Sequence, residues 1–441
     1  MATRRDNHGA GERTTLILVG IVAALVTVAA IFWLTWDGSA DGHDSVPGAR
    51  ASLAERTGSV FLPPPSDFAT PPTVERLSLP AVPSGQAIWG ATGRDRSGRI
   101  WFGVSVAGSR GRTSAHLLRY DPVSRSWASK GSVLEQLRLA GLYREGIGQV
   151  KIHTKIVPAD DGFLYFASSD EDGENADGSV PPRWGGHLWR MRPDDERWEH
   201  VMAAPDGLVA ASAAGRYVYV LGYWGHVLHQ FDTLTSSSRK VVVGSTEGHV
   251  SRNFLSSVDG HAFVPRLRRE PGGALTAALV QFDEQLREVA STPLEHYLGK
   301  GSPGGNHGIT GLATLPDGRI AFTTALGYLY LVEPTVGAPA KVQPVGWFHP
   351  GGQAYAPSLF AYGGNNLLAG VTQRGNRFDW VVYELTTRTS TAQTLDTSQL
   401  GGALLYGSMA RDDAGGSYLV GWAEASLGSP VPLALRVTPA P

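Results

Sequence analysis

A tight polar turn followed by a hydrophobic run recurs seven times along the chain: DRSGRIWFGV from Asp95, DDGFLYFAS from Asp160, AAGRYVYVLG from Ala213, VDGHAFV from Val258, PDGRIAFTT from Pro316, YGGNNLLAGV from Tyr362 and DAGGSYLVGW from Asp413. After a variable insertion each is followed by a second run, beginning at His116, His187, His226, Ala278, Tyr328, Trp380 and Leu433. Glycine in the turns supplies the positive φ that a tight hairpin needs, so the pattern predicts antiparallel pairing of the segments before and after each turn. The post-turn runs are almost continuously apolar, which predicts strands buried on both faces. Sheets stacked radially, each covered by two neighbours, bury strands in this way. The spacing of roughly 45 to 65 residues matches the scale of such repeats.

The last repeat ends near Val437 with no residues left for an outermost strand, whereas TVERLSL, Thr73 to Leu79, is an unpaired strand candidate just ahead of the first repeat. It is expected to complete the seventh sheet, joining the two ends of the domain and hiding an exposed edge.

These repeats resemble the broad β-propeller superfamily over about residues 73–439. The expected fold is all-β, a seven-bladed β-propeller spanning 73–441. No blade carries the GH and WD signature of WD40 repeats, and no consistent kelch double glycine is present. The stretch KIHTKIVPADDGFLYFAS with GGHLWRMRPDD, between Lys151 and Asp195, resembles the blade that supplies a histidine in some propeller polysaccharide lyases.

Ahead of the repeats, Leu16 to Trp36 is an uncharged apolar stretch long enough to cross a hydrocarbon core. Arg4, Arg5 and Arg13 precede it and Asp37, Asp41 and Asp44 follow. The positive-inside rule then predicts a cytoplasmic tail over 1–13, a transmembrane signal anchor over 14–36 and a periplasmic or extracellular remainder. A cleaved signal peptide, with Gly38 and Ala40 as its small-residue site, is the alternative. Residues 37–72 are rich in Pro and Gly and lack periodicity, as expected of a flexible tether.

Composition narrows the function classes. The chain has 38 basic and 40 acidic side chains and a formal charge of −2, which argues against a nucleic-acid partner. It contains no cysteine, so disulfides, thiolate metal sites and catalytic thiols are absent. No motif implies a cofactor or a transition-metal centre. His226 and His229, three apart on one strand, should point to opposite faces. The acidic run Asp170 to Gly178 departs from the EF-hand pattern, and RLRRE at Arg266 to Glu270 reads as a solvated loop.

In an up-and-down sheet the first and third turns share one edge. The second-to-third connections and the links between blades therefore share the other edge, and these are the long, variable segments. Function is expected on that long-loop edge. Two inter-blade links, SVLE from Ser132 and TPLE from Thr292, read as helical capping boxes. Residues leading into the innermost strands should ring the channel mouth: Trp89, His153, Arg252 with Asn253, His307, Tyr355 and Tyr406. In the same region Arg183, Trp184 and His187 offer a cation, a flat apolar surface for a sugar ring and a second imidazole. Two functions fit these residues. One is recognition of a glycan or an envelope protein through the long-loop edge. The other is a polysaccharide lyase, with His153 or His307 removing a proton, Arg252 offsetting the growing charge, and Tyr355 or Tyr406 protonating the leaving oxygen.

Overall fold

The computed structural model describes residues 70–439 apart from 109–112, 171, 176–178, 224–226, 247–250, 300–307, 363, 399, 401 and 426–428. The expected cytoplasmic tail, membrane segment and tether, residues 70–72 excepted, lie outside the described residues. Among those described, the strands gather into seven separate antiparallel sheets, the blades of a β-propeller. Blade 3 shows the plan in four strands of increasing distance from the axis: Leu208–Ala214, Tyr217–Gly222, Val227–Asp232 and Ser237–Val242. The post-turn runs form the second strand of every blade, and in Ile100–Val106 and Leu164–Ser169 every residue is buried. The outermost strand of blade 3 is by contrast largely exposed. Apolar side chains between neighbouring blades make the core. The cluster around blades 1, 2 and 7, for example, buries Trp101, Phe102, Phe166, Trp189, Trp198 and Tyr418.

Ring closure follows the sequence expectation. Thr73–Arg76 pairs antiparallel with Pro430–Thr438, in the register Thr73↔Thr438 to Arg76↔Leu435. The amide of Leu77 then donates to Ala434 O at 3.0 Å, and the Leu77 side chain is buried in the core cluster.

The recurring turn has a common chemical basis. Asp95 accepts from the Ser97 and Arg99 amides at 2.9 and 3.0 Å through Oδ1 and from Trp101 Nε1 at 2.9 Å through Oδ2. In blade 7, Asp412 accepts from the Ala414 and Gly416 amides at 3.0 and 2.8 Å, from the Tyr418 hydroxyl at 2.9 Å and from Arg436 Nε at 2.7 Å. One carboxylate thus closes the turn and anchors it to an aromatic of the next strand.

Two expectations from sequence need correction. SVLE does open a helix, α1 (Val133–Leu139), with the full capping box between Ser132 and Glu135. TPLE does not: Thr292 and Pro293 stay in the strand Glu288–Pro293, and Leu294 N extends that ladder to Ala277 O. The Tyr330 hydroxyl binds both the amide and the carbonyl of Glu295, so tertiary contacts override the local capping signal. Likewise RLRRE is mostly strand. Ala262–Arg269 runs through it, and Arg266 is buried, paired with both carboxylate oxygens of Glu288 at 2.8 Å.

Candidate functional site

In blades 1 and 2 the innermost strand is broken. Gly85–Ala87 and Thr92–Arg94 are separated by Ile88–Ala91, and Lys151–Ile152 and Val157–Pro158 by His153–Ile156. Where the ladder lapses, the two blades approach directly: Ile156 N donates to Thr92 O at 3.0 Å. Gly93 must be glycine there, because a Cβ would collide with the Ile156 carbonyl. The breaks leave Trp89, His153 and Lys155 outside the strand ladders, free to reach neighbouring blades.

Five blades contribute side chains to one cluster at the long-loop edge, called the bowl below. Trp89 of blade 1 stacks on His153 of blade 2, with centroids 6.3 Å apart and planes 6° from parallel. Trp89 also meets Tyr406 of blade 7 edge-on at 4.9 Å. The exposed Arg252 guanidinium, from the approach to blade 4, lies 4.8 Å over the Tyr406 ring. Tyr355, at the start of blade 6, feels the charge of the same arginine. Lys151 is 5.6 Å from the centre of the Trp89 ring. Asn253 turns inward instead, its Nδ2 donating to the Ile309 and Thr310 carbonyls at 3.0 Å each. Its buried Oδ1 has no partner among the described residues.

Electrostatics follow from this packing. Burial, reinforced by Arg252 and Lys151, holds the His153 pKa well below the ordinary imidazole value, so the ring is neutral at physiological pH. His153 Nδ1 lies 3.1 Å from Val209 O, an acceptor only, so Nδ1 carries the hydrogen and Nε2 holds a lone pair. Burial raises the Tyr355 and Tyr406 phenols, with Arg252 opposing it. Among the described residues, Arg252 and Lys151 act on His153, and Arg252 acts on both Tyr355 and Tyr406.

The floor of the bowl is a knot of backbone held by one side chain that the sequence analysis did not single out. Lys155 donates to Gly90 O at 3.0 Å and to Gly407 O, joining the three adjacent blades 7, 1 and 2. A Cβ on Gly407 would stand 2.6 Å from both Pro357 O and Thr310 O, so blades 5 and 6 close on the same point. Burial lowers the Lys155 pKa to about 7. Its signal was present in KIHTK, where Lys151, His153 and Lys155 share the parity of an extended strand.

The remaining candidates lie elsewhere. Ile152 pairs with Ser168 and Ser168 with His187, so His187 shares the face of Ile152, and His153 falls on the other. His187 instead meets His200, with Nδ1 and Nε2 3.0 Å apart, and burial pushes its pKa down to about 4. Arg183 lies 5.2 Å over the Trp184 ring, and Trp184 packs against the core cluster beside Gly146 and Gly148. His307 and His226 lie outside the described residues. Among the described residues no three His, Asp or Glu side chains converge as a metal ion would require.

No family model and no curated protein matches the chain. Among solved structures it is similar to the β-propeller domain of the Trilobed protease from Pyrococcus furiosus, at 8% identity, 79% coverage of this chain and 93% of that one, and a TM-score of 0.44. It is also similar to YCF48 bound to D1 peptide, at 11% identity, 86% and 98% coverage and a TM-score of 0.44. U3-55K gives 9% identity, 83% and 100% coverage and a TM-score of 0.47. At these identities the likeness concerns the fold and carries nothing about ligands. On its own strand pairing, the chain is a seven-bladed β-propeller whose ring is closed by the strand that precedes the first blade.

Proposed function

We propose that this propeller is a recognition module for an acidic glycan, held at a membrane by residues 14–36 and displayed outside the cytoplasm. One observation carries the reading: Trp89, His153, Arg252, Tyr355 and Tyr406 meet in one cluster, in which the half-buried Trp89 and Tyr355 rings lie near the exposed Arg252 guanidinium. Sugar rings stack on aromatic faces, and a uronate or sulfate group pairs with guanidinium. The test uses the full chain in detergent, assayed for retention on polygalacturonate, alginate, hyaluronan and neutral dextran. Retention on an acidic polymer, lost in Arg252→Ala and in Trp89→Ala, supports the proposal. Equal retention on dextran, or none on any polymer, refutes it. Crosslinking to an envelope protein in the absence of glycan retention would favour a protein partner instead.

The lyase reading is favoured by a separate feature, the unprotonated Nε2 of a neutral His153. As a base it would take the proton beside a uronate carboxylate while Arg252 offsets the charge and Tyr406 or Tyr355 protonates the leaving oxygen. The unsaturated product absorbs near the ultraviolet edge. Its absence across acidic polysaccharides, or its undiminished release by His153→Ala, eliminates this chemistry.

A further inference from the structure

Beneath the floor of the bowl the axis opens again. A cavity of about 80 Å³ lies between the inner strands of blades 1 to 5 and 7. It continues toward the short-turn edge into a shallower hollow that shares Pro158, Ala213, Ser256, Thr314 and Ile320. The charged residues lining the cavity are Lys155 and Arg94, and Asp160 enters only in the outer hollow. Lys155 is 7% exposed. An ammonium has three N–H donors. The partners of Lys155 among the described residues, Gly90 O and Gly407 O, account for two of them and are uncharged. When protonated, the amine thus has one donor and its charge unmatched among the described residues. Arg94 adds a second unsatisfied donor. Its Nη2 pairs with Asp413 at 2.6 Å, where Asp413 is largely exposed, but its buried Nε has no partner among the described residues.

A buried charge without a counter-charge is strongly unfavourable; it is relieved by losing the proton or by taking up an ion of opposite sign. The cavity has room for the second course. On this measure one water needs roughly 10–15 Å³, so the space suits several waters or one small polyatomic anion.

We propose that this cavity is a second binding site, separate from the bowl, that takes one small carboxylate of formate or acetate size against the Lys155 ammonium. The carboxylate supplies an acceptor for the third N–H and the missing counter-charge, and it arrives from the short-turn edge. Its source is either a free acid or the carboxylate end of a longer chain threaded through the outer hollow. Among the described residues that line the cavity, the other charged side chain is Arg94, and none is acidic. Binding should therefore draw a proton onto Lys155 near neutral pH.

Calorimetric titration of the full chain in detergent with sodium acetate, against sodium chloride at equal ionic strength, tests the proposal. Saturable acetate binding, with heats that change with the ionisation enthalpy of the buffer as proton uptake requires, is the expected result. Lys155→Met should weaken it at least about tenfold. Should circular dichroism show that variant to be unfolded, Ser212→Leu, which fills the cavity and leaves Lys155 in place, should give the same loss. Hexanoate binding more tightly than acetate assigns the end of a longer chain, and the reverse assigns a free ion. No saturable acetate heat, an equal response to chloride, or full affinity in the folded variants overturns the site. Glycan retention by the bowl is read separately and does not depend on this outcome.

Discussion

If the first strand fastens the ring, shaving one buried side chain from its end should weaken the whole domain. Leu77 is 6% exposed and packs in the cluster that holds Ile88 of blade 1 with Tyr418, Val420 and Ala434 of blade 7. Leu77→Ala removes this apolar bulk at the joint between the first and last blades, where strands anchored on both sides resist collapse into the void. Truncations of this kind cost about 2–5 kcal/mol, a large share of the roughly 5–15 kcal/mol that holds a typical domain. The control is the same substitution at Leu234, which is 74% exposed, where about 0.5 kcal/mol or less is expected. Urea unfolding followed in parallel by tryptophan fluorescence and far-ultraviolet circular dichroism measures both. For Leu77→Ala the midpoint should fall in both signals together, because an unfastened ring loosens as one unit. A midpoint matching that of Leu234→Ala would refute the argument, and so would a shift in only one signal, since that confines the damage to one blade.

Three further outcomes follow from the geometry. Gly407→Ala should destabilise by about 1–3 kcal/mol, because its Cβ meets two carbonyls at 2.6 Å; Gly272→Ala, with open space around it, should change urea stability little. Asp412→Ala strips acceptors from two turn amides, from the buried Tyr418 hydroxyl and from Arg436, for a cost of about 3 kcal/mol. Adding Tyr418→Phe should recover part of that loss in a double-mutant cycle, and strict additivity would deny the coupling. For Lys155 the folded pKa of about 7 lies below the ordinary lysine value of 10.5, so the folded chain binds fewer protons between those values and gains stability as pH rises through that window. Relative to Lys155→Met, the wild type should be weakest at pH 6 and close the gap toward pH 9, by no more than about 1.4 kcal/mol per pH unit; a pH-independent gap in urea stability would contradict this.

The repeat pattern made the blades legible because each buried strand writes its burial into the sequence as an unbroken apolar run behind a glycine turn. The closing strand was legible by elimination, since TVERLSL had no other partner. Side chains at the channel mouth were partly legible. Arg252 and Tyr355 stand just ahead of an inner strand, Tyr406 ends one and Trp89 lies in the break of another, and radial symmetry alone brings such positions together. Lys155 was missed because His153 drew attention to a single residue of an alternating segment. Its meaning depends on Gly90 and Gly407, which are distant in sequence and contribute only backbone oxygen. The divergence of His153 and His187 is a matter of register, and the break after Ile152 sets that register. The failed helix at TPLE and the buried Arg266 have one cause: a local signal yields when a partner such as the Tyr330 hydroxyl or Glu288 is supplied from another part of the fold.

The backbone knot at Gly90, Gly407 and Lys155 also bears on permeation. A ring of seven sheets invites the picture of a tube, yet here, among the described residues, carbonyls of several blades crowd around Gly407 and Lys155, a constriction in the path of a solute. The two vestibules should fill without competing for space. Any communication between their occupants has to run through the proton and the hydrogen bonds of a single amine.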